Sequence, residues 1–150
     1  MKQPDSATAQ RVWQRVSPPT APALSEREAM RQLHRLLVCD GMALRRYAMR
    51  RPPSEQVLLR RLEQSYSEEA ACLRGMIQLT TGAAVKEPVN CSPTENLVQC
   101  YRNALTRLTA YSLRTADPLC APAFRQLEHQ AQQHCTTLLT LIGLATHPQK

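Results

Sequence analysis

Four residues of this sequence have side chains that could bind a metal ion, and they fall where helical periodicity turns them toward a protein interior. Asp40, Glu69 and His134 lie on apolar repeats with spacings of three and four, and Cys72 follows Glu69 by three residues. Carboxylate, imidazole and thiolate are the ligand types that Zn²⁺ accepts. The four residues therefore predict one residual metal site, for a single Zn, Fe or Mn ion. If that site is active, it predicts a metal-dependent oxidoreductase.

The same side chains also support a purely structural interpretation. A carboxylate that is buried without a partner is strongly destabilising, so polar groups at one depth must pair with each other or with a metal. Asp40, Glu69 and His134, together with Tyr101 and Tyr111, could form a hydrogen-bonded polar core. The sequence favours this interpretation, in which the chain binds no cofactor and catalyses no reaction.

Four amphipathic segments must position these residues. Apolar side chains repeat at spacings of three and four along each segment, which is typical of α-helices with one buried face. Prolines break the pattern between the first and second segments and between the third and fourth. The predicted helices span residues 25–50, 55–81, 93–115 and 118–145.

Local signals mark the predicted helix ends. Ser25 with Glu28, and the run SPTE at residues 92–95, match the capping box at a helix start. Ser54 is predicted to cap the second helix. Gly82 is placed to end that helix in the left-handed conformation.

These segments predict an all-α fold. The first and third connections are short, which makes the joined helices antiparallel neighbours, while the second connection is longer. The expected architecture is an antiparallel four-helix bundle of two helical hairpins over residues 24–147. Residues 1–23 are polar and carry four prolines, so we predict a disordered tail in which Trp13 docks onto the bundle.

Composition and cysteine usage indicate a cytoplasmic chain. The low contents of aromatic residues (4%) and of glycine (4 residues) argue against a β fold. The segment MKQPDSATAQ has no apolar stretch of a secretory signal, and no CxxC pair occurs among the six cysteines. Most of these cysteines are therefore predicted to be small buried apolar residues.

The net charge of +7 comes from 16 arginines and 3 lysines against 12 acidic residues. Six arginines cluster near the predicted turn between the first two helices, where they could bind a polyanion through phosphate contacts. A solvated basic turn, which also complements the dipole at the C-terminal end of the first helix, is the favoured interpretation, and nucleic acid is not the favoured partner. The six are Arg45, Arg46, Arg50, Arg51, Arg60 and Arg61.

Two segments carry a resemblance to a known family. YSEEAACLRGMIQLTTG (residues 66–82) and FRQLEHQAQQHCTTLLTLIG (residues 124–143) each place a polar patch before a Leu-rich turn and a closing glycine. In this layout residues 25–145 resemble the ferritin-like superfamily, in particular small bacterial rubrerythrin-like proteins. The resemblance implies a bundle with two irons between its helices, held by a Glu from each of two helices and a Glu-x-x-His pair from each of the other two.

The family's ligand pattern is incomplete in this chain. The residues three places before His34, His129, His134 and His147 are Arg31, Gln126, Ala131 and Leu144, so no Glu-x-x-His pair exists. The resemblance thus implies a degenerate di-iron site and a non-catalytic interaction or regulatory module. We expect a homodimer or another protein as partner, through the outward Leu36, Val38 and Leu58, and no membrane partner.

Overall fold

The computed structural model describes residues 20–82, 84–86, 91 and 96–146, with side chains from Glu26 onward. These residues form four α-helices and no strand, which confirms the all-α prediction. No helix in the described part of the chain is long and apolar enough to cross a membrane. Of the described residues, those from 32 onward belong to one compact unit and residues 20–31 to another. The helices are α1 (Thr20–Ala48), α2 (Pro53–Thr81), α3 (Leu97–Arg114) and α4 (Ala121–Thr146).

The predicted starts of α1 and α2 were wrong. Since α1 begins at Thr20, Ser25 lies inside the helix rather than at its N-cap, and residues 20–23 are helical rather than tail. Residues 1–19, with Trp13, lie outside the described residues. The N-cap of α2 is Pro52 and not Ser54, and no side chain caps this end. A proline with its fixed φ suits a first helical position, which is where Pro53 stands.

The boundaries around the longer connection were predicted in part. Gly82 ends α2 with φ of 76° and donates its N–H to the Gln78 carbonyl at 2.7 Å, as predicted. The SPTE run at 92–95 lies outside the described residues, but α3 begins only at Leu97. Its N-cap is Asn96, whose Oδ1 accepts from the backbone N–H groups of Val98 and Gln99 at 2.9 and 3.3 Å. An asparagine at this position satisfies two otherwise unbonded donors of the first turn.

The predicted apolar stripes of all four helices meet in one core. Leu37, Leu44, Leu59, Leu138 and Leu141 are almost completely buried within it. Both α2 and α3 pack against α4. The apolar repeat of α4 leaves the core before the end of the helix, where Ala145 is exposed. The largest fully buried side chain is not apolar but a charged residue of α3, Arg107.

Candidate functional site

Arg107 lies at the centre of a buried polar cluster that draws residues from all four helices. Its side chain has no exposed surface. The guanidinium donates from Nε to Glu69 Oε2 on α2 at 2.8 Å, and Nη1 lies 4.0 Å from Asp40 Oδ2 on α1. Its Cζ stands 4.9 Å from the centre of the Tyr66 ring, in a cation–π arrangement. The cluster thus surrounds a fixed positive charge with two carboxylates and an aromatic face.

Glu69 is the anionic partner of this arginine. The Tyr111 hydroxyl of α3 also donates to Glu69 Oε2, at 2.5 Å. Burial alone would raise the pKa of Glu69, but the charge of Arg107 and the contacts with His134 and Tyr111 together outweigh it and hold that pKa below its usual range. In turn burial would lower the pKa of Arg107, but the Glu69 carboxylate together with Tyr66 and Tyr111 keeps it above its usual value. Glu69 and Arg107 are therefore a charged pair at neutral pH.

The ring of His134 on α4 has its proton position set by Arg107. Nδ1 lies 3.0 Å from Arg107 Nη2 and 3.1 Å from Glu69 Oε1. A guanidinium keeps its protons and can only donate, so Nδ1 accepts from Nη2. Burial lowers the pKa of His134, which keeps the ring neutral with its one proton on Nε2. That nitrogen lies 2.6 Å from Ser65 Oγ, to which it donates.

Ser65, His134 and Glu69 stand in the order of a serine hydrolase triad, but the proton position argues against that chemistry. A general base must present an unprotonated Nε2 to the serine hydroxyl while the carboxylate accepts from Nδ1–H. Here Arg107 supplies a donor to Nδ1, so Nε2 carries the proton. The arrangement does not activate Ser65 as a nucleophile.

Asp40 is the second carboxylate of the cluster and is held differently. Asn103 of α3 donates its amide Nδ2 to Asp40 Oδ1 and Oδ2 at 3.1 and 3.0 Å. Burial raises the pKa of Asp40 to about 6, and the hydrogen bonds from Asn103 and the charge of Arg107 oppose that rise only in part. Asp40 therefore titrates close to neutral pH.

Because the pKa of Asp40 is higher in the folded protein than in the unfolded chain, the folded state binds its proton more tightly. The contribution of Asp40 to the free energy of unfolding should consequently fall as pH rises from about 4 to 6 and stay level above that range. The shift from 3.8 to about 6 corresponds to a penalty of about 3 kcal/mol in the ionised state. Asp40→Asn removes this titration. Relative to wild type, the free energy of unfolding of Asp40→Asn should therefore increase by about 3 kcal/mol between pH 4 and 7.

Urea denaturation at several pH values measures this difference. Asp117→Asn is the matched control, because Asp117 is exposed beyond α3 and is no part of the cluster. A difference for Asp40→Asn that stays constant with pH would contradict the prediction.

The structure brings three of the four predicted metal-ligating residues together, around an arginine. Asp40, Glu69 and His134 all contact Arg107. Cys72 is half-buried, and burial, with the nearby charge of Glu69, raises the pKa of its thiol, which opposes metal binding as a thiolate. Among the described residues no group of three or more His, Cys, Asp and Glu side chains could hold a metal ion. The donor set does not fit a metal, because the guanidinium already neutralises the carboxylate that a cation would need.

Of the two tyrosines expected in a polar core, one belongs to it. Tyr111 is buried and bonded to Glu69, whereas Tyr101 is only half-buried and packs against the apolar core. Tyr66 takes part instead, with its ring stacked on His134 at a centroid distance of 4.3 Å. Sequence reasoning also missed Arg107 and Ser65.

The six arginines predicted as a polyanion site are not all available. Arg51 forms two hydrogen bonds to Glu55, at 2.9 and 2.8 Å, and lies over the Tyr47 ring. Arg45 lies 3.6 Å from Glu63 across α1 and α2. Arg45 is nevertheless exposed, as are the four others: Arg46, Arg50, Arg60 and Arg61. The charge of this region is thus weaker than the count of arginines implies.

The apolar residues expected on the outer surface are partly covered. Leu36, Val38 and Leu58 are each half-buried rather than outward. Apolar side chains that are more exposed occur elsewhere, including Leu113 on α3 and Leu119 before α4. A dimer face on Leu36, Val38 and Leu58 stays a prediction.

Two of the six cysteines are bonded to each other, which the prediction of mostly small buried apolar residues did not include. Cys39 of α1 forms a disulfide with Cys91, in the connection between α2 and α3. Cys100 and Cys135 are buried thiols as expected, and Cys72 and Cys120 are half-buried. The disulfide ties the longest connection of the chain to α1, next to Asp40.

Comparisons with known proteins give no relative for this arrangement. No family model, no curated protein and no solved structure matches the chain.

Proposed function

We propose that this chain is a ferritin-like, rubrerythrin-like antiparallel four-helix bundle in which an internal ion-pair network takes the place of the metal site. It acts as a non-catalytic interaction or regulatory module, with a second copy or another protein as partner. The observation that supports this is the buried guanidinium of Arg107, bonded to Glu69 Oε2 at 2.8 Å. A metal ion at this site would have to occupy the place that the positively charged guanidinium of Arg107 already holds.

The charge of the cluster supports the same proposal. In a di-iron protein the inward carboxylates are neutralised by the metal ions that they bind. Here Glu69 is neutralised by Arg107, and its Oε2 accepts from Tyr111 as well. His134 Nδ1 accepts from Arg107, so the lone pair that would bind a metal is in use. The stability of the interior then needs no metal.

Metal analysis tests the proposal. Protein purified without chelators should contain no Fe, Mn or Zn in stoichiometric amounts by plasma mass spectrometry, and its melting temperature should not rise when any of these ions is added. Glu69→Gln should likewise leave metal content unchanged. Stoichiometric metal that is lost in Glu69→Gln or His134→Ala would overturn the proposal in favour of a metal-dependent oxidoreductase.

The compartment in which the protein works bears on its partners. The sequence favours the cytoplasm, whereas the Cys39–Cys91 disulfide favours an oxidising environment, because cytoplasmic thiols are kept reduced. We propose that the protein acts where this disulfide persists.

A further inference from the structure

A groove between α2 and α4 opens directly above the buried cluster. Its volume is about 580 Å³, within the range of small-molecule sites. Leu58 and Leu62 form an apolar part, and the polar part includes Arg61, His129 and Gln133. No acidic side chain lines the groove, so its charge is positive or neutral. Such a lining suits a ligand that combines a negative group with a short apolar portion.

Ser65 connects this groove to Arg107 through His134. Arg107 Nη2 donates to His134 Nδ1, and His134 Nε2 then donates to Ser65 Oγ at 2.6 Å. The serine oxygen is therefore an acceptor within the cluster, and its own hydroxyl proton remains to be donated. Within the described residues no acceptor for that proton is recorded, and Ser65 lines the groove. Both hydrogen bonds of this series are donated in the direction of the groove.

The direction of these hydrogen bonds decides the kind of ligand. A chain that begins at a guanidinium, which can only donate, ends in a hydroxyl that donates to whatever occupies the groove. Hydrogen bonds in such a chain polarise one another, so the terminal donor is strengthened. Among possible acceptors, an oxyanion forms the strongest hydrogen bond with such a donor.

We propose that the groove between α2 and α4 binds a small molecule through a carboxylate or phosphate group. An oxygen of that group accepts from the Ser65 hydroxyl, and its charge faces Arg61 and His129. The apolar portion of the ligand packs on Leu58 and Leu62. The site goes beyond the function proposed above and does not depend on it, because the groove would bind its ligand whatever the metal content of the protein.

Calorimetric titration with inorganic phosphate and with hexanoate tests the proposal and distinguishes the two anionic groups. We expect saturable binding of at least one probe. Ser65→Ala, which removes a hydrogen bond to a charged group, should weaken that binding about tenfold, and Arg61→Ala should weaken it at least as much. The matched controls are Arg60→Ala and Ser67→Ala, two exposed neighbours on α2 that do not line the groove. They should change affinity less than about twofold.

Several outcomes would overturn the site. One is the absence of saturable binding by both probes, and another is wild-type affinity in Ser65→Ala. Equal weakening by Arg60→Ala and Arg61→Ala would show that general surface charge, as in polyanion binding, accounts for the effect. Arg61 is exposed, so Arg61→Ala is expected to fold even where Ser65→Ala does not, and it alone then decides the question.

Discussion

Arg107→Leu is expected to lower the free energy of unfolding by about 3–5 kcal/mol, the usual effect of removing one partner from a buried ion pair. The variant leaves the Glu69 carboxylate without its cation in a position that has no exposed surface. Tyr111 would remain as the only hydrogen-bond donor to Glu69 Oε2. His134 Nδ1 would also lose its donor. Urea denaturation followed by circular dichroism measures the change.

Two further variants separate the ion pair from the loss of side-chain volume. Arg102→Leu, at an exposed position of the same helix, should change stability by no more than about 0.5 kcal/mol. The double variant Glu69→Leu with Arg107→Leu removes both charges, so it should be more stable than Arg107→Leu alone. A single variant as stable as wild type would show that the pair contributes nothing to the fold.

The effect of Arg107→Leu should depend on pH. In the wild type the lowered pKa of Glu69 adds stability above the ordinary pKa of a glutamate, and this stability is lost as pH falls through the lower value. In the variant burial acts unopposed and raises that pKa, so protonation relieves the penalty at acid pH. Because of both effects, the difference in unfolding free energy between wild type and Arg107→Leu should be largest at neutral pH and smaller near pH 4. A difference that increases toward acid pH would contradict this assignment of charge.

The inward direction of Asp40, Glu69 and His134 could be predicted because helical periodicity fixes which face a residue occupies. All three are buried in the structure. What periodicity left open was the group that compensates two buried carboxylates, and a metal and a hydrogen-bonded core were both compatible with it. The structure identifies that group as an arginine.

Arg107 could have been found from the same periodicity. Leu97, Cys100, Ala104, Arg107 and Tyr111 follow each other at spacings of three and four, and all five are buried. Arginine is rarely buried unless it is paired, which is why a position on an apolar repeat did not by itself predict that Arg107 is buried. Two inward carboxylates without a metal motif were themselves evidence for an inward cation.

The helix ends were less predictable than the helix faces. Ser25 and Glu28 have the types and spacing of a capping box, yet α1 continues through them from Thr20. A capping box indicates that a helix can begin at a given residue. It does not prevent the helix from extending into the residues before it. The side-chain cap of α3 is Asn96, one residue beyond a stronger-looking signal.

The disulfide could not be derived from the sequence because six cysteines allow about 15 different choices of a single bonded pair, and nothing in their spacing favours one of them. Only the fold places Cys91 beside Cys39, which lies 52 positions away in sequence. Cysteine count and spacing predicted that most of the six cysteines are small buried residues. Only Cys100 and Cys135 are classed as buried.

Breaking this disulfide is expected to destabilise the protein by about 4 kcal/mol, because the bond closes a long loop and so restricts the unfolded chain. The measurement is urea denaturation of wild type with and without dithiothreitol, and of Cys39→Ser. Reductant should not affect Cys39→Ser, since Cys91 then has no partner. Cys120→Ser, which removes a half-buried free thiol, is the control and should remain sensitive to reductant.

Thiol titration in denaturant tests the same bond independently of stability. The oxidised protein should react at four cysteines, namely Cys72, Cys100, Cys120 and Cys135, and the reduced protein at all six. Because Cys39 and Cys91 are both partly accessible, dithiothreitol should reduce the bond in the folded state, before any unfolding. Six reactive thiols in protein purified under oxidising conditions would refute the disulfide, and with it the preference for an oxidising compartment.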